Sequence, residues 1–150
     1  MTDSGQEGDL KSHLKSDLES QKWAWLSRRL VETLHAESLS RFGGTPGMRD
    51  EGLLESALAR PQHLARYEEP STFRLASAYC EGIVNNHPFA DGNKRAGLLA
   101  ARAFLFKNGY RLEPEEAKMV AVIREVAAGD LGREDLTGWI EASSEPVPDT

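Results

Sequence analysis

The residues between positions 87 and 95 combine chemical groups that act together on phosphates. They read His-Pro-Phe-Ala-Asp-Gly-Asn-Lys-Arg and lie between two stretches of helical apolar spacing. A turn at this place delivers its second half to the start of a helix, where unpaired backbone N–H groups and a partial positive charge favour phosphate oxygens. The segment therefore predicts a phosphate-binding turn between two helices.

The second half of the segment suits the phosphates themselves. Gly92 lets the backbone curl and approach an anion closely, and Asn93 can cap the new helix or bond to a phosphate. Lys94 and Arg95 add full positive charges at the helix start. We therefore predict that residues 92–95 bind a nucleotide.

The first half supplies a metal ligand and a base. Asp91 is a hard oxygen ligand of the kind that holds Mg²⁺ beside nucleotide phosphates. His87 has a neutral imidazole available near pH 7, because the ordinary histidine pKa is about 6.5, and it can accept a proton. Phe89 is predicted to anchor the loop in the core. Taken alone, His87 fits a helix-capping role better than a catalytic one, and only the complete set favours catalysis.

Charge and composition limit the classes of function. The 150 residues carry a net charge of −6, yet residues 87–112 hold five basic side chains and one acidic one. A small positive region in an acidic chain suits a small anion and argues against direct nucleic-acid binding. The single cysteine, Cys80, excludes a disulfide framework, and no apolar run reaches membrane-spanning length. We expect a cytoplasmic protein without a membrane partner.

The secondary structure around this segment is predicted to be helical. Apolar residues recur at helical spacing nearly everywhere, and no stretch alternates cleanly over strand length. Asp50 is a candidate N-cap for a helix that Pro61 ends, and residues 61–72 are predicted to be a polar linker. The sequence predicts an all-α fold, a compact bundle of about six helices with the active-site loop between two central ones.

Polar stretches mark the two ends of the chain. We predict a disordered or weakly helical N-terminal tail over residues 1–21 and a frayed C-terminal tail over residues 143–150. Residues 22–142 then form one folded domain, which is the usual size for a single hydrophobic core.

The segment resembles the motif of the Fic/Doc family, approximately His-x-Phe-x-Asp/Glu-Gly-Asn-x-Arg, at every specified position. The resemblance extends to the Doc branch. A second string, Arg-Phe-Gly-Gly-x-Pro-Gly-Met-x-Asp-x-Gly from Arg41 to Gly52, resembles its N-terminal loop, with Leu34-His35 before it. We place the likeness over Trp25–Ala142, which implies a Fic/Doc-like helical fold.

The resemblance implies a specific activity. Lys94 stands where Fic proteins that transfer AMP have a glycine, and Leu98 stands where they have a second arginine. Both departures match Doc, which implies transfer of the γ-phosphate of ATP to a protein hydroxyl, with Mg²⁺ bound. The Doc substrate is a threonine of elongation factor Tu, and its phosphorylation arrests translation.

The resemblance also implies a partner. Doc is the toxin of a toxin–antitoxin pair, and the disordered tail of a cognate antitoxin is expected to fold into a groove near the active site. Two alternatives to the kinase interpretation stay open. One is Fic-type AMP transfer, which the Gly92-Asn93 pair permits. The other is a non-catalytic helical module whose positive region binds an acidic partner.

Overall fold

The computed structural model describes residues 22–148, which fold as six helices and one small antiparallel sheet. The all-α prediction with about six helices is confirmed. The prediction for residues 1–21 lies outside the described part of the chain. In chain order the elements are α1 (Arg28–Phe42), α2 (Glu51–Tyr67), α3 (Thr72–Asn86), α4 (Asn93–Lys107), β1 (Tyr110–Leu112), α5 (Glu116–Ala128), α6 (Arg133–Ala142) and β2 (Ser144–Pro146).

Helix α3 is the centre of the core. Most of its apolar residues are buried, with Leu75, Tyr79 and Ile83 fully so, and α2, α4 and α6 pack around it. Cys80 is buried in the same helix, as expected of a small apolar side chain, and burial raises the pKa of its thiol to about 12. Because α3 and α4 flank the 87–92 turn, their packing holds both ends of that turn.

The contact between α3 and α4 depends on a glycine. A Cβ added at Gly97 would lie 2.7 Å from Val84 Cγ2 and 2.9 Å from the carbonyl oxygen of Cys80. The second contact is with backbone, which cannot rotate away. The absence of a side chain at position 97 therefore lets the two helices approach closely.

Gly97→Ala is expected to lower the free energy of unfolding by about 1–3 kcal/mol, since overpacking a tight contact forces the helices apart. Gly138→Ala is the matched control, because it lies inside α6 with no atom within 4 Å of the added Cβ. That variant is expected to be about 0.5–1 kcal/mol more stable than the wild type. Urea unfolding of both variants measures the difference, and equal midpoints would contradict this account of the contact.

The prediction that Pro61 ends its helix is wrong. Asp50 does cap α2, because its side chain accepts from Leu53 N at 3.0 Å, but the helix continues to Tyr67. Proline in a helix interior loses one hydrogen bond and crowds the preceding turn. Here Leu58, Pro61 and Ala65 all lie on the buried face of α2. Burial of apolar residues before and after the proline therefore stabilises the continuous helix.

The C-terminal segment is more ordered than predicted. Residues 144–146 form β2 and pair with β1, with Arg111 opposite Glu145. A strand of three residues is too short to show an alternation of apolar and polar residues. The two prolines in this segment favour a frayed end instead. Pro146 lies at the end of the strand, where its missing N–H costs no ladder bond. The prediction of a frayed tail is therefore wrong for residues 144–146.

Two side chains, Asn108 after α4 and Tyr79 in α3, hold the segment that precedes α1. Asn108 donates to the carbonyl of Ala24 at 3.1 Å and accepts from its N–H at 2.9 Å. The Leu26 N–H donates to the Tyr79 hydroxyl at 3.2 Å, and burial raises the pKa of that hydroxyl to about 12. The helix itself begins after Ser27, the N-cap, whose side chain accepts from Leu30 N. Within residues 22–148, no helix is long and apolar enough to cross a membrane.

Candidate active site

The turn between α3 and α4 contains two left-handed residues. His87 follows the last residue of α3 with φ 54° and ψ 52°, and it is the one non-glycine residue with positive φ in the described chain. Gly92 precedes α4 with φ 77° and ψ 20°. Left-handed backbone at a residue with a Cβ costs about 1–3 kcal/mol, and it persists where surrounding contacts impose it. The conformation of His87 therefore needs supporting contacts.

Asn93 closes the turn from inside. Its side-chain amide donates to the carbonyl of Phe89 at 3.0 Å, and its oxygen accepts from the Phe89 N–H at 2.9 Å. Asn93 is 3% exposed and Phe89 is 2% exposed, so both bonds are shielded from water. Phe89 is the residue predicted to anchor the loop, and it is buried here. Of the two roles expected for the Asn93 side chain, a helix cap or a phosphate contact, the cap is not observed, since Gly92 is the N-cap and no side chain caps the helix.

His35 supports the turn from α1. Its ring stacks on Phe89, with centroids 3.7 Å apart and planes 9° apart, and its Nε2 lies 2.7 Å from the carbonyl oxygen of Asp91. A carbonyl oxygen only accepts, so Nε2 carries the hydrogen in this bond. His35 is buried, and its two contacts fix the backbone on both sides of Ala90.

The loop over residues 43–50 pairs with the turn along its length. The N–H groups of Arg49 and Asp50 both donate to the carbonyl of Pro88, at 2.7 and 2.9 Å. The Ala90 N–H donates to Gly47 O at 3.0 Å, and Met48 forms an antiparallel bridge with Phe89. The string that resembles the Doc loop is thus the element that borders the predicted site.

Asp91 is exposed and held as a carboxylate. One oxygen accepts from the Thr45 N–H at 3.1 Å, and the other accepts from the Gly92 N–H at 2.8 Å. These two bonds, with a smaller contribution from the Arg95 charge, lower the pKa of Asp91 below its ordinary value. The group is therefore charged and ready to bind a cation at neutral pH.

The lowered pKa predicts how Asp91 responds to acid. Its bonds to Thr45 and Gly92 stabilise the fold fully above the ordinary aspartate pKa, and that contribution disappears as pH falls through the lowered folded value. We expect the stability difference between wild type and Asp91→Asn to be constant near neutral pH and to change only in the acid range. A carboxyl-carbon NMR titration of Asp91 with a midpoint above the ordinary value would contradict this.

The start of α4 forms a positively charged surface. The first intrahelical bond runs from Ala96 N to Gly92 O, so the N–H groups of residues 93–95 have no partner within the helix. Lys94 is exposed, whereas the Arg95 guanidinium donates to Gly43 O at 2.7 Å and lies over the Phe42 ring. A Cβ at Gly92 would lie 3.2 Å from Arg95 Nη2 and 3.3 Å from Leu39 Cδ2, so glycine lets these side chains pack closely against the turn.

The predicted site residues lie on one turn and the helix start after it, but their side chains differ in exposure and contacts. His87, Asp91 and Lys94 are exposed on the turn and the first helical residues after it, and no described residue bonds to the His87 imidazole. Asn93 points inward, so from this position only the backbone N–H remains for a phosphate. Arg95 bridges to residues 42–43.

Two supporting residues were not identified as site residues from the sequence. His35 precedes the Doc-like string in the sequence, and in the structure its ring contacts Phe89 and the carbonyl of Asp91. Arg49 had no signal in the sequence, and its side chain reaches the carbonyls of Asn86 and His87.

The arrangement is a turn between two central helices of a largely helical fold, with an exposed imidazole, a carboxylate and a positively charged helix start. Residues 25–105, more than half of the chain, match the sequence model of the Fic/DOC family, and the chain belongs to this family. The match starts where the resemblance was placed but ends in α4, so α5 and α6 lie beyond it.

Two curated relatives place the chain in the Doc branch. It is 38% identical over 89 residues to "Protein kinase doc" of Escherichia phage P1. The aligned segment covers 57% of this chain and 71% of that protein. It is 40% identical over 83 residues to "Toxin Doc" of Mycolicibacterium smegmatis, which covers 54% of this chain and 63% of that protein.

Proposed function

We propose that this protein is a Doc-type toxin that transfers the γ-phosphate of ATP to a protein hydroxyl. The protein substrate is elongation factor Tu, and the modified residue is one of its threonines. Phosphorylation of that threonine arrests translation in the cytoplasm. One observation carries the proposal: an unpartnered imidazole and an ionised carboxylate border the same turn as the open start of α4. The phage relative is named a protein kinase, which supports the same class of reaction.

Two side chains favour transfer of the γ-phosphate over transfer of AMP. Lys94 is exposed at the second residue of α4, where its side chain takes up space that a glycine would leave for further phosphates and adds a positive donor. Leu98, one turn later, offers no charge to a distal phosphate. A nucleotide on this surface is best held with its outermost phosphate nearest His87.

The proposed reaction needs one base and a fixed geometry. His87 accepts the proton of the threonine hydroxyl, whose oxygen then bonds to the γ-phosphorus. The bond between that phosphorus and the β–γ bridging oxygen breaks, and ADP leaves with the electron pair. The products are phosphothreonine, ADP and a proton that His87 releases to solvent. Catalysis depends mainly on alignment and on neutralising charge.

The residues present fit the cofactors that this reaction uses. Asp91 would hold Mg²⁺, and among the described residues no group of three or more metal-ligating side chains exists. A single carboxylate suits Mg²⁺, which completes its shell with waters and substrate phosphates. When bound, the ion neutralises phosphate charge. The backbone N–H groups of residues 93–95 and the Lys94 ammonium would hold the phosphates of ATP.

A cognate antitoxin completes the proposal. Phe42 is 66% exposed beside Arg95, and Arg41 lies over the same ring, so the edge of the site presents apolar and basic groups together. A disordered antitoxin tail with acidic and apolar residues would fold onto such a surface and restrain the toxin.

The direct test is incubation with elongation factor Tu and Mg²⁺ with ATP labelled at either the α- or the γ-phosphate. The proposal predicts that only the γ-label stays on the protein and that it is recovered as phosphothreonine. Retained α-label would establish AMP transfer instead. If neither label transfers while the protein still arrests growth, the non-catalytic binding module replaces both enzymatic interpretations.

A further inference from the structure

We propose that Arg49 is a positioning residue that holds His87 in its left-handed conformation. The guanidinium donates through Nε to the carbonyl of His87 at 2.6 Å and through Nη2 to the carbonyl of Asn86 at 2.9 Å. These carbonyls belong to the last residue of α3 and the residue that caps it. One planar group thus holds two successive peptide units, and their relative orientation sets the direction of the His87 side chain.

The left-handed backbone is what Arg49 acts on. The last carbonyls of a helix have no intrahelical partner, and a glycine usually supplies the left-handed residue that follows. Here that residue is His87, with φ 54°, and its Cβ disfavours the conformation. Two charge-assisted bonds from Arg49 to the flanking carbonyls exist only while this conformation is kept.

The backbone of Arg49 strengthens the same connection. Its N–H and that of Asp50 both donate to the carbonyl of Pro88. Asp50 in turn caps α2, so the Arg49 side chain extends from a backbone fixed at the start of a 17-residue helix. Arg49 therefore links a rigid element to the residue proposed as the base, and its loss should reorient His87 without unfolding α3.

The kinetic part of the test rests on the proposed function, whereas the structural part needs no activity. In Arg49→Ala, the His87 Cα and Cβ chemical shifts are expected to move away from left-handed values, with the melting temperature close to that of the wild type. The turnover number for phosphate transfer should fall about tenfold to hundredfold, with the KM for ATP nearly unchanged, since misplacement affects the aligned step. Added guanidinium should restore part of the turnover.

Two further variants keep the test decisive. Arg49→Lys can reach only one carbonyl well and should give intermediate shifts and turnover. Arg124→Ala removes an exposed arginine from α5 and should match the wild type in both readouts. Unchanged His87 shifts in Arg49→Ala would overturn the inference, whatever the activity. Shifts that move while no variant transfers phosphate would uphold it and count against the proposed function alone.

Discussion

Replacing His87 with alanine is expected to lower the rate of γ-phosphate transfer by about 10²–10⁴-fold, the range that a positioned general base contributes. The side chain is exposed and no described residue bonds to its ring, so alanine removes the base without removing a structural contact. The left-handed backbone at position 87 is also no more strained with alanine. Single-turnover transfer to elongation factor Tu measures the effect.

His63→Ala is the matched control. His63 lies in the middle of α2 and borders a small surface cleft of about 130 Å³ with Ala59, Gln62 and Arg66, away from the turn. That variant should retain wild-type transfer. If His87→Ala also transfers phosphate at the wild-type rate while bound to Mg²⁺ and ATP, His87 is not the base. If it still arrests growth without transfer, toxicity comes from binding.

Replacing Asn93 with alanine is expected to lower the free energy of unfolding by about 2–4 kcal/mol. The variant loses two hydrogen bonds and leaves the N–H and carbonyl of Phe89 buried without partners. Because the same bonds close the turn, the segment between His87 and Asp91 should also lose its geometry. Transfer activity should therefore fall even at temperatures where the protein stays folded.

Urea unfolding monitored by tryptophan fluorescence measures the stability change, with the slope expected to stay constant. Asn85→Ala removes an exposed amide from the same end of α3 and should change stability by less than about 0.5 kcal/mol. A similar small change for Asn93→Ala would mean that the turn does not depend on this amide. Loss of activity without loss of stability would instead assign Asn93 a direct role toward the phosphates.

The sequence predicts the helices well because their apolar faces repeat at 3.6 residues. It fails at Pro61 because a local rule for proline competes with burial of the residues around it, and burial is a property of the whole fold. It also misses residues 144–146, whose pairing with Tyr110–Leu112 depends on partners more than 30 positions away. Local pattern carries no information about either outcome.

The chemical groups of the candidate site, like the helices, are predictable from local sequence. Its chemical groups lie within nine consecutive residues, so type and spacing alone place His87 and Asp91 on one turn. Its support is not local. His35 and Arg49 reach the turn from 56 and 38 positions away, through contacts that only the packing of α1 and the 43–50 loop creates. The inward direction of Asn93 likewise follows from where Phe89 is buried.

We expect the turn to hold a nucleotide with its outermost phosphate toward His87. A crystal structure with Mg²⁺ and the non-hydrolysable β,γ-imido analogue of ATP tests this directly. We expect the γ-phosphorus to be the phosphorus nearest the His87 imidazole, with Asp91 on the metal and the start of α4 against the phosphates. A nucleotide bound with its α-phosphorus nearest His87, or a turn that stays empty at saturating nucleotide, would contradict the claim.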